Sequence, residues 1–321
     1  MYGNEREVLE RLALWMKAGR RAALATVLST FGGSPRPPGS MAAIRDDGLV
    51  WGSVSGGCVE DDLVAEIRAG TLLDPRKRVI LREFGSSAEE QARYRLPCGN
   101  TLRLAVETKI DPALLAMAVA AMKAGRTVRR SVWLADGRSL LAEETGGPVF
   151  SETEECFSHL LGPRYRALLI GATELARYLA NILTTLGFAI EICDPRSEYA
   201  DGWDMAEVPL SRAMPDDRVL ALDCDARTAV LAVSHDPKLD DLALMEALKT
   251  PSFYVGALGS VQTSEKRRAR LAEFDLSEIE LARLHGPVGL NIGSRTPAEI
   301  AVSIAADLVQ ERRRREEDQK A

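Results

Sequence analysis

The sequence predicts an α/β chain of two domains, the second a Rossmann-like, doubly wound parallel sheet. Three observations carry that reading. A chain of 321 residues has room for about two domains and a sizeable core. From Tyr165 onward, apolar strand-like runs alternate with helical runs, the pattern of a parallel sheet covered on both faces. Around residues 144 to 165, "ETGGPVFSETEECFSHLLGPRYR" is polar and punctuated by Gly and Pro, which sets the expected domains at 1–150 and 151–321.

The elements follow in order. "MYGNEREVLERLALWMKAGRR" is an amphipathic helix with Val8, Leu9, Leu12 and Trp15 on one side. "AALATVLST" is a strand, and "FGGSPRPPGS" a turning loop that its prolines keep irregular. "MAAIRDDGLVWGSV" predicts a hairpin around Asp46-Asp47-Gly48, and "GGCVEDDLVAEIRAG" a helix ending at Gly70. "KRVILREF", "NTLRLAVE" and "RRSVWLADG" are further strands, separated by one helix, "DPALLAMAVAAMKAGR". In the second domain, "YRALLIG", "AIEICDPR", "TAVLAVSHD" and "SFYVGALGS" alternate with helices such as "ATELARYLANILTTLGF" and "LALMEALKT".

Composition excludes several functions. The net charge is −6, and no basic run is interleaved with aromatics, which excludes nucleic acid as a partner. No apolar run approaches the roughly twenty residues that span a bilayer, and no signal-peptide order opens the chain. Cys58, Cys98, Cys156, Cys193 and Cys224 are odd in number and scattered, with no C-x-x-C pair. That excludes a disulfide framework and a zinc cage, and a cytoplasmic chain with reduced thiols is expected.

Glycine-rich turns mark the candidate sites. After "YRALLIG" the dinucleotide fingerprint wants G-x-G-x-x-G/A, and Gly171 with Ala176 supplies its first and last small residues. Asp194 stands where a ribose-binding acid would sit. Thr173 replaces the middle glycine and Glu174 puts a carboxylate at the helix start, so a Rossmann fold without tight dinucleotide binding is the better reading. In the first domain, "GGSPRPPGS" and "GSVSGGC" combine bare backbone with Ser34, Ser53 and Ser55, and Arg36 is the charge among them. Amides at Gly56 and Gly57 before a helix would hold an anion and favour a thiolate at Cys58. Glu60, Asp61 and Asp62 follow and are expected to be solvated. A thiolate there suits a soft metal or a persulfide sulfur, although a lone cysteine is more often a small buried apolar group. Cys98, beside Gly99, has the same two readings. Thr296-Pro297-Ala298-Glu299 is a capping box that would present Ser294 and Arg295, and "VSHD" puts His235 at a strand's C-terminal end. His159 and His285 have no comparable setting and are read as structural.

"TVLSTFGGSPRPPGSMAAIRDDGLVWGSVSGGCVEDDL", "LPCGN" and "PVGLNIGSRTPAEIAVSIAADLV" together resemble the XdhC/CoxI family of molybdenum-enzyme accessory proteins. The resemblance runs from about Glu7 to Val309 and includes the order of an N-terminal XdhC/CoxI domain and a C-terminal Rossmann domain. It implies a chaperone that binds molybdenum cofactor as molybdopterin or its nucleotide form, supports its sulfuration, and inserts it into a xanthine dehydrogenase-family molybdoenzyme. A cysteine desulfurase, a molybdopterin nucleotidyltransferase and a second copy of the chain are the further partners it implies. On this reading Gly56, Gly57 and Arg36 hold the anionic end, Ser34, Ser53 and Ser55 add hydroxyls, and Cys58 and Cys98 lie near molybdenum or carry sulfur. Two departures stand out: the family often reads G-A-G-H where this chain has Gly171-Ala172-Thr173-Glu174, and Cys-Gly-Gly where it has Cys98-Gly99-Asn100. The first argues against NAD(P) on the Rossmann domain. Two other classes of function are an NAD(P)-binding oxidoreductase using that domain and a non-catalytic interaction scaffold.

Overall fold

The computed structural model describes residues 5–31, 36–73, 77–85, 87, 90, 101–144 and 146–318. The chain divides into two compact units, Met1–Pro163 and Arg164–Ala321.

In the first unit, α1 (Glu5–Lys17) leads to β1 (Ala22–Phe31), then β2 (Met41–Arg45) and β3 (Val50–Gly52) form the expected hairpin. Next come α2 (Cys58–Arg68), β4 (Val79–Phe84), β5 (Thr101–Glu107) and α3 (Pro112–Lys123). The unit closes with β6 (Val128–Trp133), β7 (Ser139–Glu143), β8 (Phe150–Glu152) and β9 (Cys156–Leu161). One antiparallel sheet has the order β3-β2-β1-β5-β4, a second the order β7-β6-β9-β8.

Successive residues of a strand face opposite ways, and β1 uses both sides. Ala23, Ala25 and Val27 pack with Val59, Leu63 and Ile67 of α2. Ala22 and Leu24 pack with Val8, Leu12 and Trp15 of α1 and Leu115 of α3. The apolar stripe expected on the first helix is therefore a core face, and α2 is held from the opposite side of the same sheet. The second sheet meets the first through Val132 and Phe157 against Leu28 and Ala105. A buried bidentate pair joins β6 to β5 there, with Arg130 Nη1 2.9 Å from Glu107 Oε2 and Nη2 2.5 Å from Oε1.

The divide between units, at Pro163 and Arg164, falls inside the polar stretch of residues 144–165, near its end. "CFSHLL" is β9, and its buried Phe157, Leu160 and Leu161 belong to the first unit's core. Its alternating burial is hidden in the sequence by the acidic run before it and the Gly162-Pro163 turn after it.

The second unit runs β10 (Tyr165–Ile170), α4 (Glu174–Thr185), β11 (Phe188–Cys193), α5 (Ser197–Ala200), β12 (Leu210–Ser211) and α6 (Pro215–Leu222). It continues with β13 (Thr228–Ala232), α7 (Pro237–Ala247), β14 (Tyr254–Ala257), α8 (Val261–Leu271), α9 (Glu278–Ala282), β15 (Leu284–His285) and α10 (Pro297–Asp318). The strand order is β12-β11-β10-β13-β14-β15, and every pair is parallel. That is the doubly wound order of the Rossmann fold, with its switch point between β10 and β13. Ala167 and Leu169 of β10 pack with α4 and α10, while Leu168 and Ile170 pack with α6, α7 and α8. The expected fold class is present. Among the described residues no helix is long and apolar enough to cross a membrane.

Candidate functional site

The turn that opens α2 is built around a carboxylate. Gly56 and Gly57 have φ of 102° and 138°, conformations that suit glycine, and nothing lies within 4 Å of where a Cβ would sit on either. They are exposed, and Cys58 follows as the first residue of α2 with its thiol half-buried. One turn further on, Glu60 is 5% exposed and folds back over the loop. Its Oε1 accepts the Ser53 hydroxyl at 2.7 Å, the Val54 amide at 2.7 Å and the Ser55 amide at 3.0 Å. Its Oε2 accepts the Ser55 hydroxyl and, at 2.9 Å, the Gly57 amide.

Burial works against the charge on Glu60, but the hydrogen bonds from Ser53, Ser55 and Val54 outweigh it and lower its pKa to about 2. The carboxylate is thus ionised and internal, not solvated as the acidic run suggested. The reason is local: an acid at the third position of a helix can reach back to the capping amide, and here the loop adds four more donors. Ser53, Ser55 and Gly57 consequently serve an internal anion. The Gly56 amide is also engaged, donating to Ser53 Oγ at 3.0 Å.

Arg36 is half-buried in the loop before β2. Ser34, Cys98 and Gly99 lie outside the described residues. Among the described residues no three or more His, Cys, Asp or Glu side chains gather as a metal site.

In the second unit the sequence-marked residues stand at the C-terminal ends of the strands. Gly171 follows β10 with φ of 108°, and a Cβ there would lie 2.5 Å from the Cα of Ser234, so the two switch-point loops touch backbone to backbone. Thr173 caps α4, its hydroxyl accepting the Ala176 amide at 3.3 Å. Asp194, after β11, is completely buried. It accepts the Ala172 amide at 2.8 Å and is gripped by Arg196 through Nε at 2.9 Å and Nη2 at 2.8 Å. Burial would raise its pKa, yet these bonds hold it below the ordinary value. The residue in the ribose-binding position therefore clamps the glycine turn to the strand beside it.

His235 is exposed, with φ of 62°, unusual for a residue bearing a Cβ. Beside it Ser234 donates to Asp240 Oδ1 at 2.7 Å, and Asp240 is paired with Arg267 at 3.1 Å, all three buried. The Thr296 capping box forms as expected: Glu299 accepts the Thr296 amide at 3.0 Å, and Thr296 Oγ1 accepts the Glu299 amide at 3.3 Å. Glu299 also accepts the Arg295 amide at 2.7 Å, which leaves the Arg295 side chain exposed and Ser294 half-buried. Sequence reasoning missed Glu60 as the occupant of the first turn and Arg196 as the partner of Asp194. Gly57-x-x-Glu60 and Asp194-x-Arg196 are the signals that could have found them.

Fold and site define a two-unit α/β protein in which a glycine-rich turn presenting a thiol belongs to one unit and a Rossmann sheet forms the other. The profile of the XdhC Rossmann domain matches residues 167–308, and that of the XdhC and CoxI family matches residues 15–85. The chain belongs to the XdhC and CoxI family. The molybdenum cofactor insertion chaperone PaoD of Escherichia coli K12 is 26% identical over 329 residues, covering 98% of this chain and 91% of that one. A probable xanthine dehydrogenase subunit of Bacillus subtilis 168 is 24% identical, covering 97% of this chain and 98% of that one. A crystal structure of a xanthine dehydrogenase from Bacillus halodurans shares the fold, with a TM-score of 0.73 at 24% identity over 98% of this chain and 97% of that one.

Proposed function

We propose that the chain is a molybdenum cofactor insertion chaperone serving a xanthine dehydrogenase-family molybdoenzyme, and that the turn Gly56-Gly57-Cys58 contacts the cofactor. The end-to-end similarity to PaoD carries the reading. The turn fits such a group in one respect and resists it in another. Two bare glycines and a half-buried thiol allow close approach to a soft, metal-bearing ligand. The hydroxyls and amides of Ser53, Ser55 and Gly57 are held by Glu60, so they would serve an external phosphate only with Glu60 displaced.

When bound, the cofactor supplies molybdenum carrying the terminal sulfido ligand that such enzymes need. Cys58 would stand beside it, and Cys98 is the second proposed thiol. Arg36 would balance the ligand's charge. A cysteine desulfurase and a molybdopterin nucleotidyltransferase are the upstream partners this reading takes, with the chain a cytoplasmic homodimer. The Rossmann unit would act as a structural and docking module, with Gly171 and His235 after its two central strands and Ser294 and Arg295 before its last helix.

The test is retention of molybdopterin by the full chain after gel filtration, read by the fluorescence of the oxidised pterin. Near-stoichiometric retention that falls at least several-fold in Cys58→Ser is expected. No retention by the wild-type chain would sink the reading. Retention indifferent to Cys58→Ser would remove the assignment of the turn.

A further inference from the structure

A cleft of about 1060 Å³ opens in the first unit beside the C-terminal end of α1 and the N-terminal end of α3. Met16, Ile110 and Leu115 contribute to its apolar floor. Lys17, Arg20, Arg21, Arg78 and Lys109 stand around it. Arg20 is paired with Asp46 and Asp111 also lines the opening, so the remaining four cations leave a net positive rim in a chain of net charge −6.

Several described arginines of this unit are paired with acids. Arg82 meets Glu66 at 2.7 Å, Arg129 meets Glu144 at 2.6 Å, and Arg20 itself is held by Asp46 at 2.9 Å. Lys17, Arg21, Arg78 and Lys109 are exposed, and their side chains have no acidic partner among the described residues. Like charges gathered this way repel one another, and they are compensated when a partner brings the opposite sign.

The surroundings select among anionic partners. The first amides of α3 are already capped by Asp111, at 2.8 Å from Ala113 N and 3.4 Å from Leu114 N. The helix end is therefore closed to an external anion of any kind, and the attraction comes from the long cationic side chains alone. Tight small-ligand pockets bring a few fixed polar groups to one point, whereas here the charges sit on long exposed side chains around an apolar floor. An apolar centre with a charged rim is the anatomy of a protein-docking surface.

We propose that this cleft docks an acidic polypeptide segment of a partner protein, anchored by apolar side chains on the floor and steered by the cationic rim. The proposal is independent of the cofactor reading, because no residue of the Cys58 turn takes part. Fluorescence anisotropy of a labelled Glu-Leu repeat peptide titrated with the full chain tests it. Saturable binding is expected, weakening several-fold as salt rises toward ~0.15 M, where screening sets in over about 8 Å. Lys17→Glu/Arg21→Glu/Lys109→Glu should weaken it about tenfold or more, and the milder Lys17→Gln/Lys109→Gln by less, with circular dichroism unchanged in both. A Lys-Leu peptide should not bind. Equal binding by wild-type and charge-reversed chains would overturn the proposal. So would displacement of the peptide by inorganic pyrophosphate at similar concentration, which would make this a small-anion site. Loss of self-association in the reversed variant, without peptide binding by the wild type, would assign the cleft to a second copy instead.

Discussion

The carboxylate of Glu60 takes both the amide and the hydroxyl of Ser55, and through them closes the loop that begins α2. A loop of glycines and serines has many alternative conformations, and ordering it costs about 1–2 kcal/mol per residue. Five donors converging on one buried acid are what select a single conformation here. Cys58 owes its position to that internal anion.

Glu60→Gln should destabilise the first unit by about 2 kcal/mol, because the amide nitrogen would face donors where an oxygen now accepts them. The pH dependence has a definite sign. With a folded pKa of about 2 against an ordinary 4.5, the contribution is fully present above pH 4.5 and is lost as pH falls toward 2. Its size is on the order of 3 kcal/mol. Urea denaturation followed by tryptophan fluorescence, repeated between pH 6 and pH 3, measures both effects. If wild type and Glu60→Gln lose stability in parallel over that range, Glu60 is not the titrating group.

The pair Arg130–Glu107 should behave differently. Arg130→Met strands a buried carboxylate and should cost about 3–5 kcal/mol, while Arg130→Met/Glu107→Leu should recover most of it. Three of the four tryptophans, Trp15, Trp51 and Trp133, report on this unit. A double variant no more stable than the single one would mean that the pair does more than neutralise itself.

Most of the second unit is legible in the sequence because β10, β11, β13 and β14 are short apolar runs separated by helices, whereas the two-residue strands β12 and β15 carry no such run. Thr296 caps its helix as the sequence leads one to expect, and in the structure Thr173 and Asp236 cap two more. The first unit is less legible. β9 lies next to an acidic run, and its pairing with β6 spans a helix-free stretch whose register no local pattern specifies. The candidate site divides in the same way. Turns, glycines and Cys58 can be read locally, but donors and acceptors cannot be matched until the chain is folded. Glu60 looks like one of three solvated acids because side-chain direction, and not residue type, separates it from Asp61. The cationic cleft gathers Lys17 and Arg21, Arg78, and Lys109 from three separate places in the chain, so no window of sequence contains it.

The Rossmann unit should not bind NADH at concentrations up to about 1 mM. Ala172 N, one of the turn's amides, donates to Asp194, and Arg196 takes the remaining capacity of that acid. Calorimetric titration of the full chain with NADH decides it: a stoichiometric heat at micromolar affinity would restore the oxidoreductase reading. Asp194→Asn is the companion variant. It should loosen the turn and lower stability by about 1–3 kcal/mol, since Arg196 would lose its charged partner.

Cys58 should be alkylated faster than Cys156, Cys193 or Cys224. Cys193 and Cys224 are buried, whereas the Cys58 thiol is only half-buried at the start of a helix. Burial first, then the charges of Glu191 and Asp194, push the Cys193 thiol up to about 12, and burial raises Cys224 as well. A thiol must ionise to react, so at neutral pH these two are protected both by access and by protonation. Cys156 is half-buried too, but Thr153 Oγ1 stands 3.6 Å from its sulfur at the edge of β9. Timed iodoacetamide labelling of the full chain at pH 7, with mass-spectrometric mapping of each site, gives the order directly. Cys58 labelling at the rate of Cys193 would make the thiol a packing group and end its proposed contact with the cofactor. Protection of Cys58 on adding molybdopterin, with Cys156 unaffected, is the result that the Gly56-Gly57-Cys58 turn predicts.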